Sequence, residues 1–167
     1  AEKNLPVISF EDILKNHVKI AKEIVSKVRP LAFFNEYLKN GYFPYFIDNP
    51  NFYANTLLKH INLALEIDVP YINQIELKYL SKLRKLLHII ASETPFTPNV
   101  SKLAASVKTS RATIMNYLKY LKNAKLIHLL YSNGEEDQMK KPDKVYLHNT
   151  NLLYAIAPNN TENLNLR

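Results

Sequence analysis

Apolar residues recur at three- and four-residue steps along most of this chain, and polar or proline breaks divide that rhythm into helices. Ile13, Leu14, Val18, Ala21, Ile24, Val25 and Val28 form the first stripe, opened by Ser9 with Asp12 three positions on, a capping box with Asp in place of Glu. Leu5-Pro6-Val7-Ile8 ahead of it reads as an extended lead-in. Pro30 starts a second, short and aromatic helix with Leu31, Phe33, Phe34, Tyr37 and Leu38 on one side, and Gly41 ends it. Asn49 and Pro50 restart a helix whose core face is Leu57, Leu58, Ile61 and Leu65 and which ends near Asp68-Val69-Pro70. From Ile75 to Ser92 a longer helix turns Leu77, Leu80, Leu83, Leu87 and Ile90 inward and leaves Lys78, Lys82, Arg84 and Lys85 outside, until Thr94-Pro95-Phe96-Thr97-Pro98 breaks it.

The pattern is most specific between Asn99 and Leu147. A helix over Val100 to Val107 presents Leu103, Ala104 and Val107, with Asn99 or Ser101 as its cap. Lys108 and Thr109 fill a tight turn, and Ser110 caps a second helix whose Ile114, Leu118, Leu121 and Ala124 face a core. Two β-prone runs follow, Ile127 to Leu130 and Val145 to Leu147, around a loop containing Asn133-Gly134, which makes them a hairpin. Helix, tight turn, helix and hairpin in that order read as a winged helix-turn-helix, with the helix from Ile75 completing a three-helix core. Asn149 to Tyr154 begins a further helical turn, and Pro158 to Asn163 is loop-like. The expected fold is mostly α, with a small helical bundle over residues 1–70, a hinge near Tyr71 to Glu76, and a winged domain with a C-terminal extension over 71–167.

Charge sharpens this division. The net charge is +7. Residues 76–148 hold 13 Lys and Arg against 6 Asp and Glu, while residues 1–75 hold 8 against 8 and residues 149–167 hold 1 against 1. All of the excess lies in the winged segment, where it suits a polyanion partner or a solvated lysine-rich face. With its apolar residues inward, the second helix offers Ser110, Arg111, Thr113, Met115, Asn116 and Lys119 to a DNA groove. Arg111 suits guanine and Asn116 suits adenine, while Ser110, Thr113 and helix N–H groups can hold phosphate. Lys140, Lys141 and Lys144 would let the wing touch an adjacent groove or backbone. The acidic run Glu135-Glu136-Asp137 at the wing tip opposes phosphate, so the same surface also fits docking on a protein partner or a second copy of the chain.

Other chemistry finds little support. There is no cysteine, so disulfide and thiolate sites are excluded, and no apolar run or leader suggests a membrane or export, which points to the cytoplasm. His17, His60, His88, His128 and His148 are dispersed without metal-ligand spacing, and no serine has an evident activating partner. A phosphate-binding loop needs two glycines shortly before a lysine, whereas Gly41 and Gly134 are followed by Tyr42 and Glu135. The chain is therefore expected to be non-catalytic, with no cofactor or metal of its own. Gly41-Tyr42-Phe43-Pro44-Tyr45-Phe46 is an aromatic cluster that either plugs a core at a helix end or forms a ring platform for a base, with nothing basic beside it in sequence. Ala1 stands where a start methionine is expected, so the chain reads as a processed or partial sequence.

The order of elements resembles the C-terminal region of prokaryotic AAA-type ATPases. Leu5-Pro6, Ile8 to Leu14, His17, Pro30-Leu31, Phe34, Tyr37-Leu38 and Gly41 to Pro44 are similar to their helical lid. Val100 to Ala104, Ser110, Thr113-Ile114, Tyr117-Leu118, Leu121, Lys144 to Leu147 and Asn149 to Leu152 are similar to the winged-helix region that follows, a domain of unknown function. The resemblance implies a lid-like first bundle, an ATP- and Mg-binding core elsewhere in the parent protein as a further partner, and a regulatory role for this region.

Overall fold

The computed structural model describes residues 7–93, 97–132 and 140–157. Asn133-Gly134, Glu135-Glu136-Asp137, Thr94 to Phe96 and the stretch from Pro158 onward, all assigned above from sequence, lie outside the described residues, as do Leu5 and Pro6. Contacts divide the chain into two compact units, 1–39 and 40–167.

In the first unit, Ser9 caps α1 (Phe10–Lys27), its hydroxyl oxygen accepting the Asp12 N–H at 3.1 Å. Asn16 leaves helical geometry at φ −129°, which kinks the helix. Pro30–Phe33 is a 3₁₀ turn leading into α2 (Phe34–Asn40). The expected apolar stripe forms, but none of its members is buried: Leu14, Val18 and Val25 are more than half exposed, as are Leu31 and Phe33. A helix buries its stripe only against a second layer, and the described residues of this unit supply none.

The second unit carries the core. After Gly41 come the short α3 (Tyr45–Asp48), a 3₁₀ turn at Pro50–Phe52, and α4 (Tyr53–Leu63). Pro70 does not end this helix. Residues Ala64–Asp68 form a π turn and the chain continues as α5 (Val69–Asn73), stopping at Gln74 in the left-handed region. Proline lacks an N–H and its ring crowds the carbonyl four residues back; a wide turn just before it relieves both. The next helix begins later than expected, with a 3₁₀ turn at Leu77–Tyr79 and then α6 (Leu80–Glu93), so Leu77 is exposed while Leu83, Leu86, Leu87, Ile90 and Ala91 are buried.

Asn99 caps α7 (Val100–Val107), Lys108 turns the chain at φ 55°, and Ser110 caps α8 (Arg111–Asn123). β1 (Ile127–Leu130) and β2 (Lys144–Leu147) pair antiparallel, Ile127 opposite Leu147 and Leu130 opposite Lys144. α9 (Asn151–Ile156) closes the described chain. The protein is thus mostly α with a small two-stranded sheet. α6 is central, touching α7, α8, α9 and β2, and around it Leu86, Ile90, Ile114, Leu118, Leu121, Ile127 and Val145 are completely buried. Each such side chain contributes about 1.5–3 kcal/mol by leaving water. α4 packs on α9 and α5 on α8. A boundary after residue 70 would cut α5; the contacts separate at Lys39 instead.

One polar cluster ties the start of this unit to its end. Asn151, fully buried, donates from Nδ2 to Tyr53 Oη at 2.7 Å and to the Asn40 carbonyl at 3.2 Å, and Tyr53 donates its hydroxyl hydrogen to the same carbonyl. Gly41 sits against it at φ +69°, where an added Cβ would lie 2.5 Å from Asn151 Nδ2. Gly41→Ala should therefore cost roughly 2–4 kcal/mol, from left-handed strain and overpacking together. Lys108→Gly, also at a left-handed position but with its side chain exposed, should stabilise by about 1 kcal/mol. Urea denaturation of the two variants should show midpoint shifts of opposite sign; a neutral Gly41→Ala would contradict the packing described.

Candidate functional site

The first candidate surface is α8 with its flanks. Ser110 accepts the Thr113 N–H at 3.0 Å and its Oγ lies 2.8 Å from Thr113 Oγ1. Both hydroxyls are thus engaged in the cap, which satisfies one of the first-turn donors that an anion would otherwise use. Arg111 and Asn116 are exposed, whereas Met115 and Lys119 are half-buried. At about 100° per residue, Arg111 and Asn116 lie roughly 140° apart around the helix, with exposed Ala112 and half-buried Lys119 between them. They flank one arc rather than meet at one point. Met115 packs against the core and, with Asn116 and Lys119, lines a shallow depression against Leu129, Tyr131 and Pro142 of the hairpin side. Tyr117, which the periodicity of aliphatic residues did not single out, is buried and completes the inner face.

Lys140, Lys141 and Lys144 are all exposed at the loop end of the hairpin. Asp143 lies among them. Its carboxylate accepts the Ser132 N–H at 2.7 Å, and its N–H donates to the Leu130 carbonyl at 2.8 Å, so it closes the ladder beyond β1. The Ser132 hydrogen bonds, aided by Lys141 and Lys140, hold the Asp143 carboxyl below its usual range, and its charge offsets part of theirs. Two cations that sequence reasoning passed over adjoin α8. Lys102 on α7 and Lys108 in the turn are exposed, and neither they nor Arg111 and Lys119 have a carboxylate partner among the described residues. Lys78 and Arg84, by contrast, pair with Glu76 and Glu66.

The second candidate is a cavity of about 680 Å³ under the aromatic cluster. Tyr42, Phe43, Tyr45, Leu57, His60 and Ile61 form one side, and Ala124, Lys125, Leu126, His148 and Leu152 the other. Phe43 stacks on Tyr45 at 5.5 Å, Tyr45 leans on Tyr53 and His60, and the His148 ring lies 4.3 Å from that of His128. Tyr45 Oη and His148 Nδ1 are buried without a hydrogen-bond partner among the described residues. Burial, with Tyr53 and Tyr42 adjacent, pushes the Tyr45 hydroxyl up to about 12. Burial, then His128 and Lys125, lower the His148 imidazole below its ordinary value. The fold thus brings basic groups to the aromatic run, which local sequence could not reveal because Lys125 and His148 lie more than seventy residues downstream.

Among the described residues no cluster of three or more His, Asp or Glu is poised to hold a metal ion, and no helix is long and apolar enough to cross a membrane.

A family of domains of unknown function, DUF8612, matches residues 32–163. Two uncharacterized proteins of the archaeon Methanocaldococcus jannaschii are similar: MJ1637, 23% identical over 150 residues covering 86% of this chain and 32% of that protein, and MJ1544, 28% identical over 148 residues covering 84% and 34%. The chain spans about a third of the length of these relatives. No solved structure matches it. These findings correct the resemblance to AAA-type ATPases: the matching family is one of unknown function, its relatives here are uncharacterized archaeal proteins, and nothing links them to such an ATPase. The motifs that carried the resemblance are each short, and short motifs recur in unrelated chains.

The lowered His148 value gives a signed expectation. Its folded value lies below the ordinary 6.5, so the unfolded chain takes up the proton first as pH falls. This contribution to stability is fully present above about 6.5 and is lost as pH drops through and below it. His148→Gln should flatten that acid limb in a series of chemical denaturations at stepped pH, and an unchanged slope would remove His148 as its source.

Proposed function

The chain belongs to the DUF8612 family, and from its α8 surface we propose that it is a winged helix-turn-helix module that binds duplex DNA, with weak or no sequence preference. The supporting observation is the exposed arc bounded by Arg111 and Asn116, framed by the cations of Lys102, Lys108 and Lys119, none of which is neutralised by a described carboxylate. α7, the turn at Lys108 and α8 supply the helix-turn-helix, and β1 with β2 supplies the wing. In this reading α8 enters the major groove from its N-terminal end. Arg111 meets a base edge, Ala112 allows close approach, and the lysines track phosphate. Ser110 and Thr113 act mainly by capping α8, and Met115 supports the helix from the core side. The module is non-catalytic, needs no cofactor, and works in the cytoplasm.

A second reading is docking on a protein partner or on another copy of the chain. Half-buried Met115 beside Leu129 and Tyr131 favours it, because that depression offers apolar side chains alongside Asn116 and Lys119, and Asp143 weakens the field of the wing lysines.

Duplex binding measured by fluorescence anisotropy across a salt series separates the two. Arg111→Ala should lose about 1–3 kcal/mol on a preferred sequence and relax base preference. Lys141→Ala should weaken all duplexes alike and flatten the slope of log affinity against log salt by about 0.9. Both positions are exposed, so folding should change by less than about 0.5 kcal/mol. Duplex affinity indifferent to both substitutions would overturn the DNA reading, and self-association lost on Asn116→Ala or Lys119→Ala would install the docking one.

A further inference from the structure

The cavity beneath the aromatic cluster lies within the second unit and stands apart from the N-terminal end of α8. Ala124 and Lys125 enter it from the opposite end of that helix, which at 13 residues and about 1.5 Å per residue is about 20 Å long. Its volume, about 680 Å³, falls within the roughly 300–1,000 Å³ typical of small-ligand sites. Three features define what would fit. The walls are aromatic rings and aliphatic side chains, which suit a flat ring. Among the described residues three buried side-chain polar atoms lack a hydrogen-bond partner, Asn151 Oδ1 beside Gly41 and two at this cavity, Tyr45 Oη and His148 Nδ1, and such atoms are uncommon enough to require an explanation. Lys125 adds a cation without a described carboxylate partner, and among the described residues no Asp or Glu lines the cavity.

We propose that this cavity is a nucleotide-base site, in which a purine or pyrimidine ring lies against Phe43 and Tyr45, its polar edge meets Tyr45 Oη and His148 Nδ1, and its phosphate meets Lys125. A plain aromatic acid would satisfy the ring faces and the cation but leave both buried polar atoms unpaired. A sugar phosphate would satisfy the polar atoms but waste the ring faces. A base carrying phosphate meets all three. The site differs from a phosphate-binding loop, whose glycines this chain lacks, because here stacking carries the binding and a single cation selects the anion. Hydroxyl and neutral imidazole can each donate or accept, so they tolerate several base edges. Two sources carry this chemistry, a free mononucleotide and an unpaired nucleotide within a strand.

Saturation-transfer NMR and calorimetry on the 167-residue chain test the proposal. The probes are adenosine, guanosine, cytidine and uridine 5′-monophosphates, the matching nucleosides, and a short single-stranded oligothymidylate. A monophosphate should bind more tightly than its nucleoside, and Lys125→Asn should erase that advantage, about tenfold, while leaving the nucleoside unchanged. Asparagine is chosen because residue 125 sits at φ 57°, a backbone that Asn tolerates. Tyr45→Phe, which keeps the ring, should weaken both forms several-fold. Binding by the oligonucleotide alone, with the same dependence on Lys125 and Tyr45, assigns the ligand to a strand; binding by mononucleotides assigns it to the free pool. Arg111→Ala should leave all of these unchanged, so failure of the duplex reading and failure of this one are separable. No binding of any probe at millimolar concentration, or binding indifferent to both substitutions, would overturn the proposal.

Discussion

The second unit is held closed by one buried amide. Asn151 stands 111 residues from Asn40 and 98 from Tyr53, yet its Nδ2 bonds both, and the Tyr53 hydroxyl completes the triangle at the same carbonyl. The amide nitrogen, paired twice, fixes a geometry that apolar packing would leave loose, while Asn151 Oδ1 is buried without a hydrogen-bond partner among the described residues. α9, α4 and the residue that precedes Gly41 are therefore set relative to each other by direction as well as by contact. The glycine is the cost of that closeness, since no side chain fits between its backbone and Asn151. Both candidate sites depend on this arrangement. The cavity lies between the aromatic run after Gly41 and the residues on either side of the hairpin, and α8 is backed by the same core.

Much of the fold was legible because capping and periodicity are local. Ser9, Asn99 and Ser110 cap the helices that sequence assigned to them, and the spacing of Ile114, Leu118 and Leu121 located the buried side of α8. Errors arose where a distant partner decides the outcome. Periodicity marks which residues could be buried but not whether anything covers them, so the stripe of α1 was foreseen and its exposure was not. Pro70 signals a helix end in isolation; a wide turn upstream let the helix continue. That expected helix end put a boundary at residue 70, although the elements on either side pack together.

The candidate residues divide along the same line. That Arg111 and Asn116 face outward follows from helical geometry alone, and so does their separation around α8. Engagement of Ser110 with Thr113, the support Met115 draws from the core, and the presence of Asp143 among the lysines of the hairpin loop all depend on side-chain contacts that spacing does not encode. The aromatic run after Gly41 had no cation near it in sequence. Folding supplied Lys125 and His148 from the far side of the hairpin, and the chemistry of that cavity exists only in three dimensions.

The π turn at Ala64–Asp68 has a consequence for the spacing of the side chains on either side of it. Leu57, Ile61, Leu65 and Val69 repeat every fourth residue, and in an unbroken α-helix each such step advances about 40° around the axis. Over three steps the line would wind about 120°, and its last member would point away from the core. All four are nonetheless at most 4% exposed. The wide turn, with more residues per revolution, winds the line back, so it acts as a vernier that keeps a four-residue repeat in phase with a 3.6-residue helix. Chain length between Leu57 and Val69 is thereby fixed: one residue more or fewer would carry every later side chain of α5 out of phase with α8, against which it packs.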